Sequence, residues 1–280
     1  MEFIHKELQI SGLTGEYRIM HITDAHIVKM DSRDDSVVIV DDGPHHGKVL
    51  SHFGEKRYNH FIVDGIPSDQ RFERMIDNIC AEPGCADLII FTGDILDFFT
   101  EAAVEFLTAQ LARLPIPYVF VIGNHDSIFF PDGEEKTRKR FAHLCNGNTE
   151  LQKYKLGELA IIGIDNARDR YTDHGLDALK EALKGERFVI LCQHIPLSTE
   201  GYHVSAMAAA GRDLGLGGQG LCVDDSWKEV FALITASESP IKALFCGDCH
   251  REGVSYLGDM LQFTAPLNAE KPPVLFTIHG

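Results

Sequence analysis

Residues 118–126 read YVFVIGNHD, five apolar or aromatic residues in a row followed by Gly123, Asn124, His125 and Asp126. An unbroken apolar run this short suits a strand buried on both faces, not the alternating strand of a half-exposed sheet. The tetrapeptide after it places a turn and three polar side chains at the strand's carboxyl end. The same construction recurs on either side. Upstream, Asp87–Phe91 runs into Gly93-Asp94, and Tyr17–Ile22 into Asp24-Ala25-His26. Downstream, Phe188–Cys192 runs into Gln193-His194, and Ala243–Cys246 into Gly247-Asp248-Cys249-His250. Leu159–Ile164 and Gly253–Phe263 are further strand candidates, and Leu151–Asp165, with Gly157 at a turn, reads as a hairpin.

Helical patterns lie between these runs. Ser68–Cys80 carries Phe72, Met75, Ile76 and Ile79 on one face, and Thr100 is placed to cap a helix over Glu101–Leu114. Glu134–Cys145, Asp177–Leu183 and Asp225–Ala236 complete the set. Strands alternating with helices predict an α/β fold, and the hairpin predicts that its sheet is mixed. Two stretches break the rhythm. Residues 28–67 are mostly polar, rich in Asp, His and Gly, and residues 197–224 are rich in Gly and Ala. Both are expected to be insertions of the lid type. With no repeat and no linker, the whole of 1–280 reads as one domain.

The composition, 44% hydrophobic and 24% charged, is that of an ordinary folded protein. The formal charge of -16 repels polyanions, which argues against nonspecific nucleic-acid binding or attraction to an anionic membrane. A small phosphate ester is still allowed, because bound cations reverse the field locally. The opening MEFIHKELQI shows no secretory pattern, and no stretch reaches the roughly 18 apolar residues of a membrane span. Seven cysteines, with Cys80, Cys192 and Cys246 in apolar segments, predict reduced thiols and a cytoplasmic protein.

Ligand sites of open α/β sheets gather beyond the carboxyl ends of the strands, so the five polar pieces can converge from opposite ends of the chain. Two divalent ions sharing a site need a bridging anion, hard oxygen ligands and imidazole nitrogens. Asp94 is the natural bridge. Asp24, His26, His194 and His250 are ligand types, and Asn124 can offer an amide oxygen. A D-x-H triplet is expected by chance about once in such a chain, whereas GNHD is expected only about 0.003 times, so the tetrapeptide carries the weight.

The ordered series D-x-H, G-D, G-N-H-D, H and G-x-x-H resembles the calcineurin-like metallophosphoesterase superfamily, over Tyr17 to roughly Gly253. The resemblance implies a four-layered αββα sandwich, two mixed sheets flanked by helices, with a dinuclear metal site at its top. It implies that Asp24, His26, Asp94 and His250 bind one ion, and that Asp94, Asn124, His194 and residue 248 bind the other. His125 would sit beside the phosphate, protonating the leaving oxygen or stabilising the transition state, with Asp126 orienting its ring. A phosphate ester would then be hydrolysed by a hydroxide held between two divalent ions. The G-N-H-D form and the terminal G-x-x-H are similar to the phosphodiesterase branch, which favours a diester over a monoester. The alternative is a non-catalytic metal-binding scaffold of the same fold, though scaffolds lose the catalytic histidine or several ligands.

One position departs from the family's G-H-x-H pattern, since residue 248 is Asp. With Asp24, Asp94, Asp248 and one hydroxide, two divalent ions are neutralised, where a histidine would leave one positive charge. Such a site favours Mn²⁺ or Fe²⁺, with Mg²⁺ also suited, over Zn²⁺. Other features read as structural. Cys246-x-x-Cys249 lacks a matching second pair, and Gly215-x-Gly217-x-x-Gly220 follows no strand. His45 and His46 read as solvated loop, His203 as a reserve ligand from the second insertion, and Phe98 and Phe99 as wall or core.

Overall fold

The apolar runs become strands, and the pattern of exposure sorts them into two sheets. The computed structural model describes residues 2–39, 47–127, 134–199, 202, 216–217 and 225–280. Its strands are β1 (Ile4–Gln9), β2 (Tyr17–Ile22), β3 (Leu88–Thr92), β4 (Tyr118–Val121), β5 (Leu151–Leu156) and β6 (Leu159–Ile164), followed by β7 (Phe188–Cys192), β8 (Ile241–Cys246), β9 (Gly253–Leu257), β10 (Met260–Thr264) and β11 (Val274–His279). The α-helices are α1 (Leu50–His60), α2 (Ser68–Ala81), α3 (Glu101–Leu111), α4 (Glu134–Phe141), α5 (Asp173–Leu183) and α6 (Asp225–Thr235).

One sheet has the order β1-β11-β2-β3-β4 and the other β5-β6-β7-β8-β10-β9. Both are mixed. β2, β3 and β4 run parallel, as do β6, β7, β8 and β10, while β11 against β2, β5 against β6 and β9 against β10 are antiparallel. β3, β6 and β7 are buried along their whole length because each lies between two layers. Ile19, Leu88, Ile90 and Val121 of the first sheet meet Ile161, Ile190, Ala243 and Phe245 of the second in a central core. Behind the first sheet, Phe91 and Ile89 pack on Phe72 and Ile76 of α2 and on Leu107 of α3. Behind the second, Ile162 and Leu191 pack on Leu179 of α5 and on Trp227 and Val230 of α6. These are the four layers α, β, β, α, and each fully buried aromatic or aliphatic side chain contributes about 1.5–3 kcal/mol.

Several expectations need correction. Gly253–Phe263 is not one strand but a hairpin, because Gly258 adopts φ +62 and turns the chain back. The helix after Thr100 ends at Leu111, the helix at Glu134 ends at Phe141, and α5 begins at Asp173, where Thr172 Oγ1 caps the Gly175 amide at 3.0 Å. The insertion 28–67 is not loop throughout, since it contains α1. Leu50 and Phe53 of that helix pack with Val28, Ile39, Phe61 and Phe98 in a small core of their own. β1 and β11 carry no signal that the sequence reading used. Among the described residues no helix is long and apolar enough to cross a membrane.

Candidate metal centre

All five polar pieces leave parallel strands at the same end of the sandwich, β2, β3 and β4 from one sheet and β7 and β8 from the other. Beyond the strands the loops stay tied together. Asp24 N donates to Gly93 O at 3.0 Å, His26 N to Asp94 O at 3.0 Å, and Gly247 N to His194 O at 2.9 Å. Two glycines make this approach possible. A Cβ on Gly93 would stand 2.6 Å from both Gly123 Cα and His194 Nδ1, and one on Gly123 would stand 2.2 Å from Asp94 N and Oδ1. The turns are tight enough to force side-chain-bearing residues into the left-handed region. Asp24, His26, Asp94, Asp248 and His250 have φ of 50, 43, 53, 66 and 56°. Such positions cost about 1–3 kcal/mol each and persist where the surroundings over-determine them, typically at functional sites.

Asp24, His26, Asp94 and His250 present ligand atoms that all lie within 4.8 Å of one another. His26 Nε2 and His250 Nε2 face each other at 3.0 Å, and Asp24 Oδ1 lies 3.4 Å from His250 Nε2. Two nitrogens each about 2.1 Å from one ion, at a right angle, are roughly that far apart. Asp24 Oδ2 accepts from Thr23 Oγ1 at 2.7 Å and from Asp248 N at 3.2 Å, whereas the buried Oδ1 has no hydrogen-bond partner. An orphaned carboxylate oxygen aimed into a set of imidazole nitrogens is what a cation site requires.

The second group converges on His194 Nε2. Asn124 Oδ1 lies 2.9 Å from it, Asp94 Oδ1 3.3 Å and Asp248 Oδ1 3.6 Å. His194 Nδ1 donates to Thr92 O at 2.7 Å, which fixes the tautomer and leaves Nε2 as the ligand atom. Asp94 touches both groups, with Oδ2 3.9 Å from His26 Nε2.

The electrostatics fit the same reading. Burial disfavours a protonated His194, yet Asp94, Asp24 and Asp248 lift it well above the usual histidine range. Burial pushes the Asp248 carboxyl up to about 6, and Asp94 and Asp24 beside it add to the effect. Burial also opposes ionisation of Asp94, but the His194 and His125 rings hold it below the carboxylate range. Three carboxylates thus crowd one buried place and draw positive charge to it. His26 goes the other way, since burial lowers it despite Asp97 and leaves a neutral imidazole.

His125 N donates to Asp94 Oδ1 at 2.8 Å, and its Nδ1 donates to Asp97 O at 2.8 Å. Burial lowers its pKa, but Asp94 and Asp97 outweigh that and raise it to about 9. The expectation that Asp126 orients this ring needs correction. Asp126 accepts from Leu96 N at 2.7 Å and Gly123 N at 2.8 Å, which spends the carboxylate on joining the β3 and β4 loops. The residue that holds the ring is Asp97.

Asp97 is the member of the candidate site that the sequence does not single out. Its buried carboxylate lies 2.9 Å from His26 Nδ1 and 3.4 Å from His125 Nδ1, and it accepts from Arg57 Nε at 2.6 Å and from Arg57 Nη2. Burial opposes its ionisation, but Arg57, His125 and His26 hold it well below the carboxylate range. Arg57 comes from α1, and Phe61, just past that helix, stacks on the His26 ring at 4.7 Å. The only sequence signal for Asp97 was an aspartate three residues after Asp94. His45, His46, His203, Gly215 and Gly220 lie outside the described residues. Cys246 and Cys249 are buried thiols, pushed up by burial, and Phe98 and Phe99 belong to cores.

A family model described as calcineurin-like phosphoesterase matches residues 17–219. Among solved structures, a dimetal phosphatase from Danio rerio aligns with TM-score 0.53 at 11% identity, covering 91% of this chain and 89% of that one. Purple acid phosphatase PPD1 from yellow lupin (Lupinus luteus) seeds aligns with TM-score 0.54 at 12% identity over 94% of this chain, which spans 46% of the lupin chain. At such identities these likenesses concern the fold. No curated protein sequence gives a significant match.

Proposed function

We propose, since this chain belongs to the calcineurin-like phosphoesterase family and is thereby a metal-dependent phosphoester hydrolase, that it cleaves a small phosphodiester at a two-ion site. Asp24, His26, Asp94 and His250 would hold one ion, and Asp94, Asn124, His194 and Asp248 the other. Bound there, two divalent ions would polarise a phosphoryl oxygen and turn water into a nucleophile at neutral pH. The chain's own groups do the rest. Asn124 and His125 face the substrate. His125, with Nδ1 committed to Asp97 O, has no partner for Nε2 among the described residues, and Asp97 beside it favours its protonated form. It can donate a proton, or a strong hydrogen bond, to the leaving oxygen. Asp126 contributes by holding the loop that carries His125.

The observation that carries the diester reading is Asp248 beside His194 and Asp94. A third carboxylate removes the excess positive charge of a two-ion site. A dianionic monoester needs that excess more than a monoanionic diester does. Oxygen-rich ligation also favours Mn²⁺ or Fe²⁺ over Zn²⁺. The test is kcat/KM for bis-p-nitrophenyl phosphate and p-nitrophenyl phosphate with Mn²⁺ supplied. The diester should be preferred, and a clear monoester preference would reject the assignment. Chelation should abolish turnover of both, and turnover that survives it would reject the two-ion site itself.

A further inference from the structure

Ala25 stands between Asp24 and His26, but it belongs to another surface. Together with α2 and the segment before β11 it lines a cavity of 520 Å³ that none of the candidate ligands reaches. That volume falls in the range of small-ligand sites. We propose that this cavity binds a small organic phosphate or phosphonate with an apolar body, separately from the metal centre.

The charges argue for it first. Arg71, Arg74 and Lys271 line the cavity, and their side chains make no hydrogen bond or ion pair with the described residues. Arg71 Nε is buried and without a partner. Elsewhere in this acidic chain, arginines have found carboxylates, as in Arg57 with Asp97, Arg138 with Asp165, Arg33 with Glu105 and Arg113 with Asp77. A net charge of -16 leaves no shortage of acids. Arg74 and Lys271 are exposed and can be hydrated, so it is the buried Nε of the half-buried Arg71 that calls for an anion from outside, with the other two cations at the rim to assist. A buried guanidinium nitrogen without an acceptor is costly, and a planar fork is matched best by phosphate or carboxylate oxygens. Glu2 and Glu270 also line the cavity, both exposed, so the excess is one positive charge.

The walls argue for the apolar body. Met75 of α2 and Pro272 are half-buried and give the cavity its accessible apolar wall, over the buried Phe72 and Pro273. Inorganic phosphate would leave this surface wet. An aryl or alkyl group on the phosphorus would cover it, at about 25 cal/mol for each Å² removed from water. The cavity also shares a strut with the metal centre. Asn268 lines it, and the Asn268 Oδ1 that faces the β2 loop accepts from Thr23 N at 2.7 Å, one residue before Asp24.

Calorimetric titration of the manganese-loaded protein with phenylphosphonate tests the proposal. Two binding events are expected, one at the metal centre and one in the cavity. Arg71→Met combined with Arg74→Met should weaken only the second, by at least about tenfold, as loss of charge-assisted hydrogen bonds does. Asp94→Asn should remove the event at the metal centre and keep the other, so the proposal can survive failure of the catalytic reading. If the double variant lacks the wild-type unfolding midpoint, the exposed Lys271→Met takes its place, with the same direction expected. Inorganic phosphate should bind the cavity at least about tenfold more weakly than phenylphosphonate. A wild-type event confined to the metal centre, a second event indifferent to these cations, or equal affinity for inorganic phosphate would each overturn the proposal.

Discussion

His26 and His194 are both fully buried rings that offer Nε2 to the candidate metal centre, yet they are held in opposite ways. His26 leans on a side chain. Its Nδ1 meets Asp97, Asp97 is clamped by Arg57, and Phe61 lies flat on the ring, so its support extends into the insertion that contains α1. His194 leans on the sheet itself. Its Nδ1 meets Thr92 O, and the Thr92 hydroxyl is bound from below by His21 at 2.7 Å. His21 in turn stacks on Phe245 of the opposite sheet. One half of the site therefore depends on a charged network near the surface, and the other on the central core. The support of the first ring can be retuned by changing a few side chains, whereas the support of the second is part of the sheets themselves.

His125 is shared by both halves, through Asp94 and Asp97, so its loss should have the largest effect. His125→Ala should lower kcat by about 10²–10⁴-fold with metal content unchanged. The loss should shrink for substrates with a good leaving group, because these need no proton. An unchanged kcat would remove His125 from the chemistry.

The asymmetry itself is tested at Asp97. Asp97→Asn keeps the shape but gives up the charge that anchors His26 and Arg57. Affinity for the ion of the His26 half should fall about 10–100-fold, as loss of a carboxylate behind a ligating histidine does. The His194 half should stay filled, and Arg57→Met should reproduce the effect in weaker form. Manganese titration of each variant reads both sites. Equal loss from both halves would mean that the two rings are not independently supported.

The core half should instead fail through acid. Burial drives His21 down to about 3 from 6.5, so between those values the unfolded chain binds one more proton than the folded one. The stability linked to His21 is therefore complete above pH 6.5 and is lost as pH falls toward 3. The loss is about 1.4 kcal/mol for each pH unit in that window. His21→Gln should flatten this part of the denaturation midpoint against pH. An identical slope in the variant would show that other groups carry the acid sensitivity.

The same contrast explains what was legible in the sequence. Ligand candidates stood out because each follows an apolar run, and a strand's carboxyl end can be read locally. Central strands such as Leu159–Ile164 and Phe188–Cys192 were legible for the same reason. The supports were not. Asp97 acquires its role only by meeting Arg57, forty residues upstream in what reads as a polar insertion, and His21 only by meeting Phe245. β1 and β11 pair with each other across nearly the full chain, from Ile4↔Val274 to Gln9↔His279, and no local pattern announces such a partner. Asp126 shows the converse error. The family resemblance implied that Asp126 orients the His125 ring, but the short 3₁₀ turn at His125–Ser127 lets the carboxylate bond the Leu96 and Gly123 amides instead.

The smallest effect is expected where the core half departs from the family pattern. Asp248 lies 3.6 Å from His194 Nε2, is 22% exposed, and burial pushes its carboxyl up to about 6. If it binds the second ion, Asp248→Ala should leave one tightly held ion per chain, in the His26 half. Asp248→His replaces one ligand by another and returns one positive charge to the centre. Two ions should therefore remain, and diester hydrolysis should change by less than about tenfold, since a unit charge acting through partly solvated surroundings is worth on the order of 1 kcal/mol. The direction matters more than the size. A more positive centre should raise monoester turnover relative to diester turnover, and an imidazole should raise tolerance of Zn²⁺ relative to Mn²⁺. Elemental analysis of the three proteins and the ratio of kcat/KM for the two nitrophenyl esters measure both effects. Two full equivalents of metal in the alanine variant would show that Asp248 is not a required ligand. The carboxylate would then act through its charge alone, and the histidine variant should still shift the ester ratio while leaving the preference between Zn²⁺ and Mn²⁺ where it was.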